Sequence, residues 1–353
     1  DLDRDRIERN LEIMADPCFT TDWGIRSLAS FEPDSDPSAY QTGSVWPVWT
    51  AGYILCGFKY GRAPWSFRLW RALLSARTLG CLGPMPEVLH GLFFRRLKDS
   101  VPHQLFSEVS VVNGFFEGLL GLSINVPERL IRLSPYLPYS WNRLEVRGIP
   151  LGLSSRGVAK TPKLDIFIKR KGNPGKVTLC RYKMSLTGME QKGRSFSVLL
   201  KPVLPMGSKI EAVYVNGRKQ TFELQKSCTE TRPFLRLPLG AEGIVVSLLT
   251  KGAIELIPME DPLFPGDTSR RLRFINVELK GNFLKMFVAG RKGLIYRVKL
   301  TTDREVLWSK GLEVVKGSVP GTYTLVLKPP RESLPRCGFA RWECMLRFRE
   351  SRN

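Results

Sequence analysis

The sequence is poor in residues that bind metal ions and has no segment that could cross a membrane. Only two histidines, His90 and His103, occur in 353 residues, and neither has a cysteine or a second histidine at ligand spacing. No run of about 18 apolar residues is present, so no membrane-spanning helix is predicted. We therefore expect no metal site, no cofactor and no membrane partner.

Paired cysteine spacings are also missing. The seven cysteines are Cys18, Cys56, Cys81, Cys180, Cys228, Cys337 and Cys344. Because they are scattered along the chain, buried free thiols are the expected state. The chain opens at Asp1 within a charged helical pattern, so a signal peptide or an upstream domain could precede it. Free thiols and the lack of a visible export signal favour a cytoplasmic location.

The charge of the chain is strongly positive and unevenly distributed. The formal net charge is +21, and residues 1–150 hold 16 Lys/Arg against 16 Asp/Glu, whereas residues 151–353 hold 38 against 17. Such an excess attracts polyanions. It is also typical of the solvated outer face of a β-sandwich. The basic residues are spread singly along alternating patterns, which favours the solvated face and makes a nucleic-acid partner unexpected.

The two halves of the chain have different hydrophobic periods. Helical patterns are predicted over 1–14, 45–60, 65–78 and 104–120, with Gly61 placed to end the second of them. After about Trp141 the period falls to two, as in Leu294, Tyr296, Val298 and Leu300. Asn216-Gly217 is a strong hairpin signal between two such runs. Helical hairpins are therefore expected first and antiparallel strands, in a sandwich, second.

Polar and aromatic residues collect in the loops of the helical half. They lie in the segments 21–26, 40–47, 84–91 and 102–104. Flat aromatic rings bind the C–H faces of sugars, while amides, carboxylates, Arg and His bind the hydroxyl groups. The candidate sugar-binding residues are Asp22, Trp23, Arg26, Gln41, Trp46, Trp49, His103 and Gln104. A core stripe of tryptophans, a helix-start ion pair of Asp22 with Arg26 and a capping role for Gln104 are alternatives that remain open.

Glu87 is the candidate catalytic carboxylate. Hydrolysis of a glycoside uses two carboxyl groups, one as acid and one as base or nucleophile. Glu87 lies in a proline-stiffened apolar turn, Pro84-Met85-Pro86-Glu87-Val88, where the environment can shift a carboxyl pKa and fix its direction. An ordinary surface glutamate in a loop is the alternative.

Several of these segments together resemble a known enzyme family. They are Thr21-Asp22-Trp23-Gly24-Ile25-Arg26-Ser27-Leu28, Gly43-Ser44-Val45-Trp46-Pro47, Pro86-Glu87-Val88, Pro102-His103-Gln104-Leu105-Phe106-Ser107, Gly118-Leu119-Leu120-Gly121-Leu122 and Pro135-Tyr136-Leu137-Pro138-Tyr139-Ser140-Trp141. Their order and spacing resemble the latter half of the catalytic toroid in amylo-α-1,6-glucosidases, the glycogen-debranching type of six-hairpin glycosidases. The resemblance covers about the first 150 residues.

The resemblance implies a multidomain α plus β chain, a partial (α/α)6 toroid followed by an antiparallel β-sandwich region. The expected divisions are 1–145, the C-terminal half of the toroid, 146–260, a β-sandwich domain, and 261–353, a second β-rich subdomain. It also implies an inverting glycoside hydrolase of carbohydrate metabolism that acts on an α-linked glucan or oligosaccharide. Glu87 takes the general-base position and Asp22 binds sugar hydroxyls, while the general acid lies in the family's preceding half. Under this resemblance the sequence is either a fragment or a protein that lacks part of its site and is inactive alone.

Two further functions are kept beside the hydrolase. A non-catalytic carbohydrate- or polyanion-binding protein would explain the absent acid and the basic second half, and a purely structural module would explain the composition. For sugar chemistry we expect Glu87, Trp23, Trp46 and His103 to share one cleft.

Overall fold

The computed structural model describes residues 3–80, 83–152, 162–172, 177–188, 195–227, 229–332 and 335–349. Its helices are α1 (Arg4–Ala15), α2 (Pro47–Lys59), α3 (Ala63–Leu74) and α4 (Leu105–Asn113), with a 3-10 turn at Ser75–Thr78 and a π-helical segment at Gly114–Leu119. Each of the four predicted helical segments is confirmed. Proline at the first position of α2 and the left-handed Gly61 (φ 88°) after its end mark the bounds that the sequence indicated.

Strands follow from residue 123 and first form two six-stranded sheets that face each other. The strands are β1 (Ser123–Asn125), β2 (Leu130–Leu133), β3 (Arg143–Pro150), β4 (Lys163–Lys171), β5 (Thr178–Thr187), β6 (Phe196–Leu200), β7 (Leu204–Pro205), β8 (Lys209–Val215), β9 (Arg218–Lys219), β10 (Glu223–Lys226), β11 (Glu230–Leu239) and β12 (Ile244–Lys251). One sheet has the order β1-β2-β6-β11-β10, with β7 on β11, and the other has the order β3-β4-β5-β12-β8-β9. Residues such as Ile168 and Leu237 pack between them.

Two four-stranded sheets form the remainder. Their strands are β13 (Ile254–Pro258), β14 (Arg273–Lys280), β15 (Phe283–Gly290), β16 (Tyr296–Thr302), β17 (Val306–Lys310), β18 (Glu313–Lys316), β19 (Thr322–Leu327) and β20 (Ala340–Phe348). The orders are β13-β16-β19-β18 and β14-β15-β20-β17, and one core with Met286 and Leu325 joins them. The division of the chain at residues 145 and 260 stays a prediction.

The predicted partial (α/α)6 toroid is wrong. Within the described residues there are four short α-helices and four sheets, antiparallel except for the pairing of β2 with β6. Only α2, α3 and α4 pack mainly on one another, whereas α1 makes most of its contacts with strand β14. The segments 16–46 and 83–104 contain turns and isolated bridges instead of helices. Helical hairpins therefore do not alternate around a ring.

The expected hairpin turn is present. Asn216 and Gly217 both have left-handed backbone angles (φ 49° and 81°) between β8 and β9, as a two-residue type I′ turn requires. The prediction from the Asn-Gly pair is confirmed.

The expectation of free thiols is wrong for two cysteines. Cys18 and Cys337 form a disulfide with their Cα atoms 5.5 Å apart and a separation of 319 positions in sequence. No local spacing could indicate a link of this length. Cys56 is free and exposed, and Cys180 and Cys344 are free and buried. Cys81 and Cys228 lie outside the described residues.

In the part of the chain that the structure describes, no helix has the length and apolar character needed to cross a membrane.

Candidate functional site

A single backbone bridge brings two of the predicted loops together. Val45 and Leu89 exchange two N–H···O hydrogen bonds of 2.8 Å, which sets the residues around Trp46 beside those around Glu87. The Glu87 N–H donates to the carbonyl of Val101 at 3.0 Å. The loop that carries Glu87 is therefore fixed on one side by the segment before α2 and on the other by the segment before α4.

Three aromatic rings pack together at the start of α2, and two of them, Tyr40 and Trp49, are exposed while Trp46 is half-buried. Trp46 and Trp49 are three residues apart at the helix start and stack with ring centroids 4.8 Å apart and planes 23° apart. The Tyr40 ring meets Trp46 edge-on at 4.8 Å, and the Trp46 indole N–H donates to the Tyr40 carbonyl at 2.9 Å. Trp49 is 44% exposed and Tyr40 is 40% exposed. The Trp46–Trp49 stack therefore presents flat aromatic area to solvent.

Glu87 lies at the edge of this aromatic surface and is half-buried. The Tyr40 hydroxyl acts on the Glu87 carboxylate, and this interaction raises the pKa of Tyr40. The Glu87 carboxylate accepts long hydrogen bonds from the Gln104 side-chain amide at 3.4 Å and from the Val101 N–H at 3.5 Å. Two donors from the segment before α4 thus bind the carboxylate, and Tyr40 lies on its other side.

The sugar-site cluster is defined here as Tyr40, Trp46, Trp49, Glu87 and Gln104. It combines flat rings, a carboxylate acceptor and an amide, which is the inventory that recognises a pyranose. Among the described residues no second carboxyl group bonds to Glu87, Tyr40 or Gln104. The cluster offers one carboxylate for proton transfer, and among the described residues it does not by itself supply a second one.

Asp22 is not part of this surface, which corrects its assignment as a residue that binds sugar hydroxyls. Its side chain is buried and forms an ion pair with Arg273 of β14, and it accepts the N–H groups of Arg270 (2.9 Å) and Arg271 (3.1 Å). Burial raises the pKa of Asp22, but the Arg273 charge and these hydrogen bonds outweigh burial, so the pKa lies below its usual value. Asp22 anchors the loop before β14 on the helical part of the chain.

Trp23 and Arg26 are also interior residues. Trp23 is fully buried against Phe94, and its indole N–H donates to the His90 carbonyl at 3.0 Å. The Arg26 guanidinium donates to the carbonyls of Gly91 (2.8 Å) and Pro17 (2.9 Å). Burial lowers the pKa of Arg26 to about 10. Both residues support the loops beneath the cluster and neither faces the solvent side of it.

The remaining predicted residues divide between the cluster and its surroundings. Gln104 is in the cluster and precedes α4, where its N–H donates to the Met85 carbonyl at 2.9 Å. His103 points to solvent and binds Glu108 through Nε2 at 2.7 Å. Gln41 is an exposed turn residue. The four residues expected to share a cleft are therefore not brought together, since only Glu87 and Trp46 meet, through Tyr40.

Tyr40 is the member of the cluster that was not predicted as a site residue from the sequence. It belongs to the segment that sequence reasoning selected, between the proline-rich loop and Trp46, but its ring and hydroxyl had no motif that separated them from an ordinary loop tyrosine. Its role depends on the Val45–Leu89 bridge, a contact over 44 residues.

Neither a search for metal-binding groups nor the comparisons with known proteins assign a function to the cluster. No group of three or more His, Cys, Asp or Glu side chains is arranged to hold a metal ion in the described ranges. No protein-family model matches the sequence, and a search of curated proteins finds no match.

Proposed function

We propose that the chain is a glycoside hydrolase of the amylo-α-1,6-glucosidase type, acting on an α-linked glucan or oligosaccharide, with the sugar-site cluster as part of its active site. The observation that carries the proposal is the position of the Glu87 carboxylate, which accepts a hydrogen bond from Gln104 and lies beside Tyr40, whose ring contacts the Trp46–Trp49 stack. The segments that resemble that family supply three members of the cluster, Trp46, Glu87 and Gln104.

In the proposed reaction Glu87 is the general base. Its carboxylate takes a proton from a water molecule as the water oxygen bonds to the anomeric carbon, and the bond from that carbon to the leaving oxygen breaks. A carboxylic acid on the other side of the sugar gives its proton to the leaving oxygen. The two carboxyl groups in inverting enzymes are about 6.5 to 9.5 Å apart, which leaves room for the water.

The proposal assigns the acid to a residue outside the sugar-site cluster. Glu87 is the single carboxylate of the cluster among the described residues. Asp22, buried in its ion pair with Arg273, is unsuited to donate a proton because its pKa lies below the usual value.

A non-catalytic carbohydrate-binding protein is the second candidate, and the same single carboxylate favours it. Stacked exposed tryptophans and a hydrogen-bonding rim are sufficient to bind a glucan without cleavage. In this case Glu87 would accept hydrogen bonds from sugar hydroxyls.

Two substitutions separate these candidates. Trp49→Ala should weaken binding of a maltooligosaccharide, measured by calorimetry, and Trp308→Ala is the matched control because Trp308 is equally exposed at 46% on a distant strand. Glu87→Gln should abolish release of reducing sugar and leave binding within a few-fold, with the exposed Glu242→Gln as control. If the wild-type protein binds the maltooligosaccharide but never cleaves it, the second candidate is correct. Unchanged binding in Trp49→Ala rejects both.

The compartment is the last part of the proposal. A cytoplasmic location was expected from free thiols, and the Cys18–Cys337 disulfide counts against it because disulfides are rare in cytosolic proteins. We therefore propose an oxidising compartment. Alkylation of protein isolated from its natural source, without reductant, should leave Cys18 and Cys337 unmodified, and modification of both would restore the cytoplasmic expectation.

A further inference from the structure

Three basic side chains lie in a row across three neighbouring strands. The register pairs Arg143 of β3 with Lys169 of β4, and Lys169 with Arg181 of β5. All three are exposed, on the face opposite to the buried Ile168 and Tyr182. Because neighbouring strands are about 4.8 Å apart, the first and third side chains leave the sheet only about 10 Å from each other. Lys183 is exposed two residues after Arg181 on the same face. These four residues are called the basic row.

The arrangement is unfavourable for folding. Like charges directly opposite each other on adjacent strands are destabilising. Arg143 is paired with Glu145, but Lys169, Arg181 and Lys183 have no ion pair with any described residue. Solubility would be served equally by cations in staggered positions. The register therefore concentrates three cations in one row across the strands.

A shallow hollow of about 330 Å³ borders the basic row. Arg143, Arg147 and Lys183 line it together with Phe167 and Ser185. Two carboxylates also line the hollow, and each already has an ion-pair or hydrogen-bond partner within the chain. Glu145 is bound by Arg143 and Arg147, and Asp165 accepts the Gly148 N–H at 2.8 Å. The lining therefore carries three cations against two carboxylates, and Lys183 is the cation among them without an ion pair to a described residue.

We propose that the basic row and its hollow bind an anionic polysaccharide, one that carries sulfate or phosphate groups. The charge of the row is complementary to such a chain, and cations in line fit a polymer with repeated anionic groups. Single-stranded nucleic acids bind through exposed aromatic rings on which bases stack. Here the Phe167 ring is covered by the Arg143 guanidinium at 5.1 Å. The choice of a polysaccharide rests on the proposed carbohydrate function of the same chain.

Heparin is the probe for this proposal. The double variant Lys169→Glu/Arg181→Glu should lower heparin affinity at least tenfold at physiological salt. Each lost ion contact removes about one unit from the slope of log K against log salt, so the slope should fall by roughly 2. The matched control is Arg297→Glu/Lys299→Glu, which makes the same charge change on exposed positions of β16. It should keep the wild-type slope.

Two outcomes would overturn the proposal. Equal losses in the two double variants would assign heparin binding to net charge alone. Stronger binding of duplex DNA, single-stranded DNA or vesicles of anionic phospholipid than of heparin, all through Lys169 and Arg181, would assign another partner. A failure of the proposed hydrolase function is detected by a different experiment. That experiment uses a neutral maltooligosaccharide and the Trp49→Ala variant, in which the basic row is unchanged.

Discussion

Asp22 and Arg273 form a buried ion pair between residues 251 apart in sequence, with side-chain exposures of 0% and 7%. The pair joins the loop after α1 to the first residue of β14, so the helical part of the chain and the second pair of sheets share one desolvated contact. Breaking one member of such a pair leaves the other charge buried without a partner.

We expect Asp22→Asn to lower the free energy of unfolding by roughly 3–5 kcal/mol. Urea denaturation at neutral pH measures this loss. Because the folded pKa of Asp22 is depressed, its contribution is present above the unfolded value of 3.8 and is lost as pH falls through the folded pKa. The exposed pair Arg349–Glu305 provides the control, since Glu305→Gln should cost about 1 kcal/mol or less. Equal effects of the two substitutions would contradict a special role for the buried pair.

The disulfide gives a second stability prediction. The double variant Cys18→Ser/Cys337→Ser should lose roughly 2–5 kcal/mol, because the covalent link no longer restricts the unfolded chain. Thermal denaturation with and without reductant measures it, and reductant should have no further effect on the variant. Cys56→Ser, which removes a free and exposed thiol, is the control and should unfold like the wild type.

The buried carboxyl group of Glu255 should make the stability of the protein depend on pH. It accepts the Tyr139 N–H at 2.9 Å and the Tyr136 hydroxyl at 3.3 Å, and burial raises its pKa to about 7 even though Arg170 opposes the shift. The folded state therefore holds a proton that the unfolded state releases near pH 4.5. Stability should fall as pH rises from about 4.5 to about 7 and then stay level.

Glu255→Gln should remove this dependence of stability on pH. At pH 8 the free energy of unfolding of the variant should exceed that of the wild type by up to about 3 kcal/mol. Denaturation curves from pH 4 to pH 8 provide the measurement. Glu313→Gln, at an exposed strand position, should keep the wild-type profile. A wild-type profile for Glu255→Gln would show that the carboxyl group is not held protonated.

Tyr40→Phe tests the positioning of the proposed base. The variant loses the hydroxyl that interacts with the Glu87 carboxylate and keeps the ring that contacts Trp46. Because the Tyr40 hydroxyl acts on the Glu87 carboxylate, kcat on an α-linked oligosaccharide should fall several-fold. Binding should change little, and Tyr60→Phe is the control. If Tyr40 had a structural role alone, Tyr40→Phe would lower the free energy of unfolding and leave kcat of the folded enzyme unchanged.

The sequence allowed the helices and the hairpin to be predicted because their signals are local. An apolar run before Gly61 and the Asn216-Gly217 pair each specify a structure within a few residues. The partial toroid failed because it required the segments between those helices to form more helices. Instead they are held by contacts such as Val45 with Leu89.

The candidate site was predictable in part for the same reason. Trp46, Trp49 and Gln104 flank helix starts, and the turn with Glu87 stands out by its prolines, so local reasoning selected them. Asp22 was selected by the same motif, yet its partner Arg273 comes 251 residues later. Tyr40 was missed because its partner lies across a bridge that no local pattern encodes.

The Cys18–Cys337 bond closes the chain into a macrocycle of more than 300 residues, and Arg341 reinforces the closure by binding Asp16 at 2.7 Å. One proteolytic nick anywhere between the two cysteines would open this ring without releasing a fragment. Such a nicked protein should run as one species on a non-reducing gel and as two after reduction.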